Sequence, residues 1–150
     1  MDAKQSIEIA APPERVWPLL VEPGDVLDWW TTLTRFEYED GGQRGLGARI
    51  YAEEKASGQL LEVHFIVTEL EENRQVALHM VSATGPVKGY DLAMTLEPLA
   101  AGSRFTFEEH VELPYGALGK VLGRLGRGSS MRHLEEALAK LKTLAEAPPG

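Results

Sequence analysis

"GSRFTFEEHVELPYGALGKVLGRLGRGSSMRHLEEALAKLKTLAE", Gly102 to Glu146, contains the change of period that decides the fold. In its first part Phe105, Phe107, Val111 and Leu113 fall on one side of a two-residue repeat, the pattern of a half-buried strand. From Leu118 the step becomes three and four. Leu118, Val121, Leu122 and Leu125 are followed by Met131, Leu134, Leu138, Leu141 and Ala145, the stripe of an amphipathic helix. Glu136 and Lys140 form a favourable i,i+4 pair on its outer side. The two halves of this helix differ. Its first half is loaded with glycine, each costing about 1 kcal/mol against alanine in a helix interior. That half is expected to be the looser one, with faster hydrogen exchange than Leu134–Leu144. Residues 144–150 read as a frayed tail.

Upstream of the strand the same period of two recurs. Phe36 and Tyr38 share a face before the turn "EDGGQRGLG", and "ARIYAEEKA" follows. Leu61, Val63, Phe65 and Val67 align in "QLLEVHFIVTELEE", and Asn73-Arg74 makes a turn. Val76, Leu78 and Met80 come next, then Tyr90, Leu92, Met94 and Leu96. Consecutive strands joined by short turns imply an antiparallel meander with one apolar face. Before it, Ser6–Ala10 alternates as a first strand, and "APPERVWPLL" has prolines suited to a helix start. Pro23-Gly24 stops that run, and a second short helix is expected over Val26 to Trp30. The order is that of an α+β protein: a curved antiparallel sheet of about seven strands, two short helices after the first strand, and one long C-terminal helix. A twisted sheet this wide has more apolar face than one helix covers. It must curl around the helix, and a cavity is expected near the glycine-rich end.

The chain of 150 residues is read as a single domain, 1–150. Its net charge of −8 disfavours a general nucleic-acid or anionic-membrane surface. The absence of cysteine excludes disulfides, thiol catalysis and cysteine metal sites. With neither a signal-peptide core nor an apolar run of about 18 residues, stable membrane insertion is not expected, and a cytoplasmic location is the default.

Taken in order, "IAAPPERVWPLL", "WW", "GGQRGLGARI", "GSRFTFEEHVELP" and "RHLEEALAKLKTLAE" resemble the START / Bet v 1-like (SRPBCC) superfamily, in its polyketide cyclase/dehydrase-like branch. The resemblance covers nearly the whole chain. It implies a helix-grip fold whose sheet wraps the last helix around a pocket for an apolar small molecule. No universal catalytic motif accompanies it, so it implies fold more than function. Three functions fit. The first is binding or transport of a hydrophobic or aromatic small molecule. The second is a cofactor-independent cyclase/dehydrase-type enzyme, and the third a protein-interaction module like the Hsp90-activator domains. Neither the ligand nor the oligomeric state is readable.

The candidate residues follow from parity. Trp29 and Trp30 are adjacent, so one wall cannot absorb both rings. Either both pack at a helix–strand corner, or one fills the core and its neighbour lines the cavity. Phe36, Phe65, Met80, Tyr90, Met94 and Phe107 belong to the concave face, as plain core or as cavity lining, and Leu118 and Leu122 would form a helical lid. Glu109 continues the phase of Phe105 and Phe107 and so turns inward, unless a bulge in "FEEHVEL" turns it out. Inside, it is a polar anchor or a general acid/base with a raised pKa. Arg35, Arg49 and Tyr51 are possible partners for a polar ligand end, their parity in the strand being ambiguous. His64, His79, His110 and His133 fall on polar phases without metal-site spacing, so no metal or other cofactor is expected. Lys120, Arg124 and Arg127 make a positive helical stripe, either a solvated face or a surface for an acidic partner.

Overall fold

The computed structural model describes residues 2–56, 58–113 and 116–148, with side chains described for all of these except residues 56 and 116–130. The chain runs β1 (Asp2–Ile9), α1 (Pro13–Val21), α2 (Pro23–Trp29), β2 (Leu33–Tyr38), β3 (Arg49–Ala56), β4 (Gln59–Glu71), β5 (Gln75–Ala83), β6 (Gly89–Leu99), β7 (Gly102–Glu112) and α3 (Gly116–Glu146). The strands form one sheet in the order β1-β7-β6-β5-β4-β3-β2, every pair antiparallel. This is the α+β order expected from the change of period, in the helix-grip arrangement that the resemblance implies. Two boundaries differ from expectation. The second helix begins at Pro23 rather than Val26, because proline in a first helical turn has no N–H to leave unpaired. The last helix includes Leu144–Glu146, which were expected to fray.

Those last residues are held from outside the helix. Glu146 accepts the Ala10 backbone N–H at 2.8 Å and the Lys142 ammonium at 2.6 Å, and Ala145 is buried. The ladder slips between Leu33 and Arg35, between His64 and Phe65, and between Val67 and Glu69. Such bulges bend and twist the strands that carry them. The extra residues are Thr34 on β2, Thr68 on β4 and Val81 on β5, so all three lie in the β2–β5 part of the sheet.

The concave face carries the core: Ile50, Val63, Phe65, Leu78, Leu92, Met94, Phe105 and Phe107 are all buried. α1 and α2 close one end with Val16, Leu20, Val26 and Trp29, and α3 brings Leu138 and Leu141 against β1, α1 and α2. Burying side chains of this size stabilises by about 1.5–3 kcal/mol each. One corner tolerates a single residue type. Gly102 has φ +154°, and a β-carbon there would stand 2.0 Å from the Ile9 carbonyl oxygen. The adjacent Ser103 is fully buried and donates to the Ala11 carbonyl at 2.6 Å, tying the end of β1 to the start of β7.

Candidate functional site

The two tryptophans take different places. Trp29 is buried, meets Phe105 edge-on, and donates its indole N–H to the Leu19 carbonyl at 2.6 Å. Trp30 stacks on Trp29 at 5.7 Å, meets Phe107 edge-on at 5.5 Å, and presents its remaining surface to a narrow, partly open gap inside the bowl. Around that gap stand Phe36 from β2, Phe65 from β4, Leu78 from β5 and Tyr90 from β6. Leu33, Ala52, Val63 and the Glu54 carboxyl complete the wall. The space open to water centres is about 10 Å³, room for one water molecule.

Polar groups converge at one side of this wall. Glu54 follows Ile50 and Ala52 on the inner phase of β3 and accepts the Thr32 hydroxyl at 2.9 Å. Tyr90 is buried, meets Phe65 edge-on at 5.5 Å, and donates its hydroxyl to Glu109 at 2.9 Å. The β6–β7 register is continuous through Leu92↔Glu109 and Met94↔Phe107. No bulge turns Glu109 out, so it points inward on the phase of Phe105 and Phe107.

Desolvation dominates the electrostatics of this cluster. Burial pushes the Glu54 carboxyl up to about 7, with the Glu109 charge adding to the rise, while the Thr32 hydroxyl and the Trp30 indole oppose it. Burial also raises Glu109, against the Tyr90 hydrogen bond and the chain's N-terminal charge. Burial raises the Tyr90 phenol well above its ordinary value, followed by the charges of Glu54 and Glu109. Two carboxyls thus share one low-dielectric region with a phenol, and near neutral pH a proton is easily placed on Glu54.

Several expected residues are brought together here: Trp30, Phe36, Phe65 and Tyr90 line the gap, with Phe107 behind Trp30 and Glu109 beside Tyr90. Met94 and the partly buried Met80 belong to the surrounding core. Trp29 is scaffold. Leu118 and Leu122 lie in α3, but their side chains fall outside the described residues. Tyr51 is corrected. It stands on the outer face, donates to Glu53 at 2.8 Å and to Glu62 at 3.1 Å, and lies under the Arg35 guanidinium. Arg35 and Arg49 are exposed and do not reach the inner cluster. Adjacent polar residues hid this parity. The residue that sequence reasoning missed, Glu54, was recoverable only by counting alternate positions from Ile50 and Ala52.

His79, His110 and His133 are exposed, and His64 is half-buried beside Glu39. Among the described residues no three His, Asp or Glu side chains are grouped to hold a metal ion. No helix among them is long and apolar enough to cross a membrane.

Residues 1–146 match the family model described as polyketide cyclase / dehydrase and lipid transport. The chain belongs to this family. Its curled sheet and long helix superpose on solved structures that include a START superfamily protein and Ara h 8.0201. TTHA0849 from Thermus thermophilus superposes with a TM-score of 0.79 at 18% identity, covering 97% of both chains. A START superfamily protein from Mycobacterium smegmatis gives 0.73 at 17% identity, covering 95% of this chain and 98% of that one. The di-domain ARO/CYC BexL from the BE-7585A biosynthetic pathway gives 0.70 at 20% identity, over 97% of this chain and 46% of its own. No curated protein matches the sequence. At these identities the likeness is one of fold.

Proposed function

We propose that this polyketide cyclase/dehydrase and lipid transport family member binds an apolar or aromatic small molecule between the sheet and α3, with Trp30, Phe65 and Tyr90 as the contact wall. One observation carries the reading: two carboxyls and a phenol converge on an aromatic wall inside the bowl, where a purely structural core gains nothing from them. Binding energy would come chiefly from apolar burial, at about 25 cal/mol per Å², with the polar cluster fixing orientation. The gap is small as it stands, so a ligand must displace side chains or the glycine-bearing half of α3. Extraction of the purified protein followed by mass spectrometry should yield a co-purified hydrophobic compound whose removal changes Trp30 fluorescence. A protein that carries nothing and takes up no apolar fluorophore would refute the reading.

A second reading has its own support, the carboxyl at Glu54 held at about 7. A group of that pKa accepts and returns protons at neutral pH, as a general acid/base must. In a cyclase/dehydrase-type enzyme Glu54 would move the proton, Tyr90 and Glu109 would tune it, and the wall would fold the substrate. Once an activity is found, Glu54→Gln should lower kcat by about 10²–10⁴-fold. A variant with unchanged kcat would remove that role.

A further inference from the structure

The protein donors in the inner cluster are already committed. The Thr32 hydroxyl points at Glu54, and the Tyr90 hydroxyl points at Glu109. What the cluster has left to offer a guest is carboxylate lone pairs, together with the faces of Trp30, Phe65 and Tyr90. The cations in the described ion pairs are spent elsewhere. Arg35, Arg44, Lys88, Arg104 and Lys142 all pair with acids at exposed positions. Among the described residues no lysine or arginine acts on Glu54, Tyr90 or Glu109. With Glu54 and Glu109 ionised, this acceptor-rich, aromatic-walled recess is unsuited to a fatty acid or any other anion. It is suited to a positive charge, which gains from both the carboxylates and the ring faces.

We infer that the ligand of this pocket presents a protonated amine to Glu54 and Glu109, with its apolar or aromatic body lying against Trp30 and Phe65. The inference rests on the pocket reading above and adds the chemical class of the ligand. Binding would draw Glu54 into its ionised form and release its proton. The groups acting on Glu54 among the described residues are Glu109 from β7, Thr32 ahead of β2 and the Trp30 indole. Tyr90 from β6 and the N-terminal charge act on Glu109.

The test uses three probes with one body: 2-naphthylmethylamine, 2-naphthylmethanol and 2-naphthoate, titrated calorimetrically into the full chain near neutral pH. The amine should bind roughly tenfold tighter than the alcohol, and the alcohol tighter than the acid. Between about pH 6 and pH 8 the amine's affinity should rise by up to roughly tenfold as Glu54 ionises, while the alcohol's does not. In Glu54→Gln both the preference and the pH dependence should shrink. Glu109→Gln provides a second variant, and the wild-type pH profile needs no variant. An amine that binds no tighter than the alcohol, or weaker than the acid, overturns the inference and leaves the apolar pocket standing. If none of the three binds, the pocket reading falls with it.

Discussion

The two faces of the sheet carry nearly the same trio of groups. Outside, Tyr51 donates to Glu53 and Glu62; inside, Tyr90 donates to Glu109 with Glu54 close enough to raise its pKa. The phenols of both are raised, but for different reasons. Tyr51 is pushed up to about 12, chiefly by its hydrogen bond to Glu53, whereas burial is the leading cause at Tyr90. The outer trio has water and the Arg35 guanidinium to answer its charge. The inner one has aromatic walls. Glu53 and Glu54 are neighbours in sequence, so one residue of parity separates a carboxyl paired with Arg35 and Tyr51 from one whose proton is in play at neutral pH. Proton affinity here is set by the side of the sheet and the dielectric it faces, not by residue type.

The sharpest way to break this comparison is to delete each phenol. Tyr90→Ala removes a buried ring packed on Phe65 and should cost about 3–5 kcal/mol in urea unfolding. Tyr51→Ala, on the wet face, should cost far less. Equal losses would erase the distinction between the faces. Next comes pH. A carboxyl whose folded pKa stands above its unfolded value favours the fold only while protonated. Its contribution is full below about 4.5 and is lost as the pH rises to about 7. Wild-type stability should therefore fall across that window by on the order of 2–3 kcal/mol, and Glu54→Gln should flatten this part of the profile. Glu53→Gln should leave the wild-type slope in place. An unflattened profile in Glu54→Gln would mean that water reaches Glu54 freely.

A smaller effect is expected from Tyr90→Phe, which keeps the ring and removes only the donor to Glu109, at a cost of about 1–2 kcal/mol. Smallest of all, Glu53→Gln should let the Tyr51 phenol titrate nearer its ordinary value of 10, followed by ultraviolet absorbance. A phenol still near 12 in that variant would move the cause from Glu53 to Glu62 or to burial.

The sequence alone determined the seven strands, the two short helices and the long closing helix, because period and turn residues are local properties that tertiary packing here left intact. It also offered Glu109 an inner place on β7, and the unbroken register with β6 then excluded the bulge that would have turned it out. Two adjacent indoles announced that their surroundings must differ. Only the tertiary structure decided that Trp29 is scaffold and Trp30 faces the gap, because that depends on how α2 meets Phe105 and Phe107. It alone settled that Tyr51 is outside and Glu54 inside, where flanking polar residues had left the parity of β3 ambiguous. And it alone brought Thr32, Glu54, Tyr90 and Glu109 into one neighbourhood, since they meet across the interior of a curled sheet. No local pattern records a distance of that kind: curvature set by bulges and packing brings separate strands together, and burial then moves their protons.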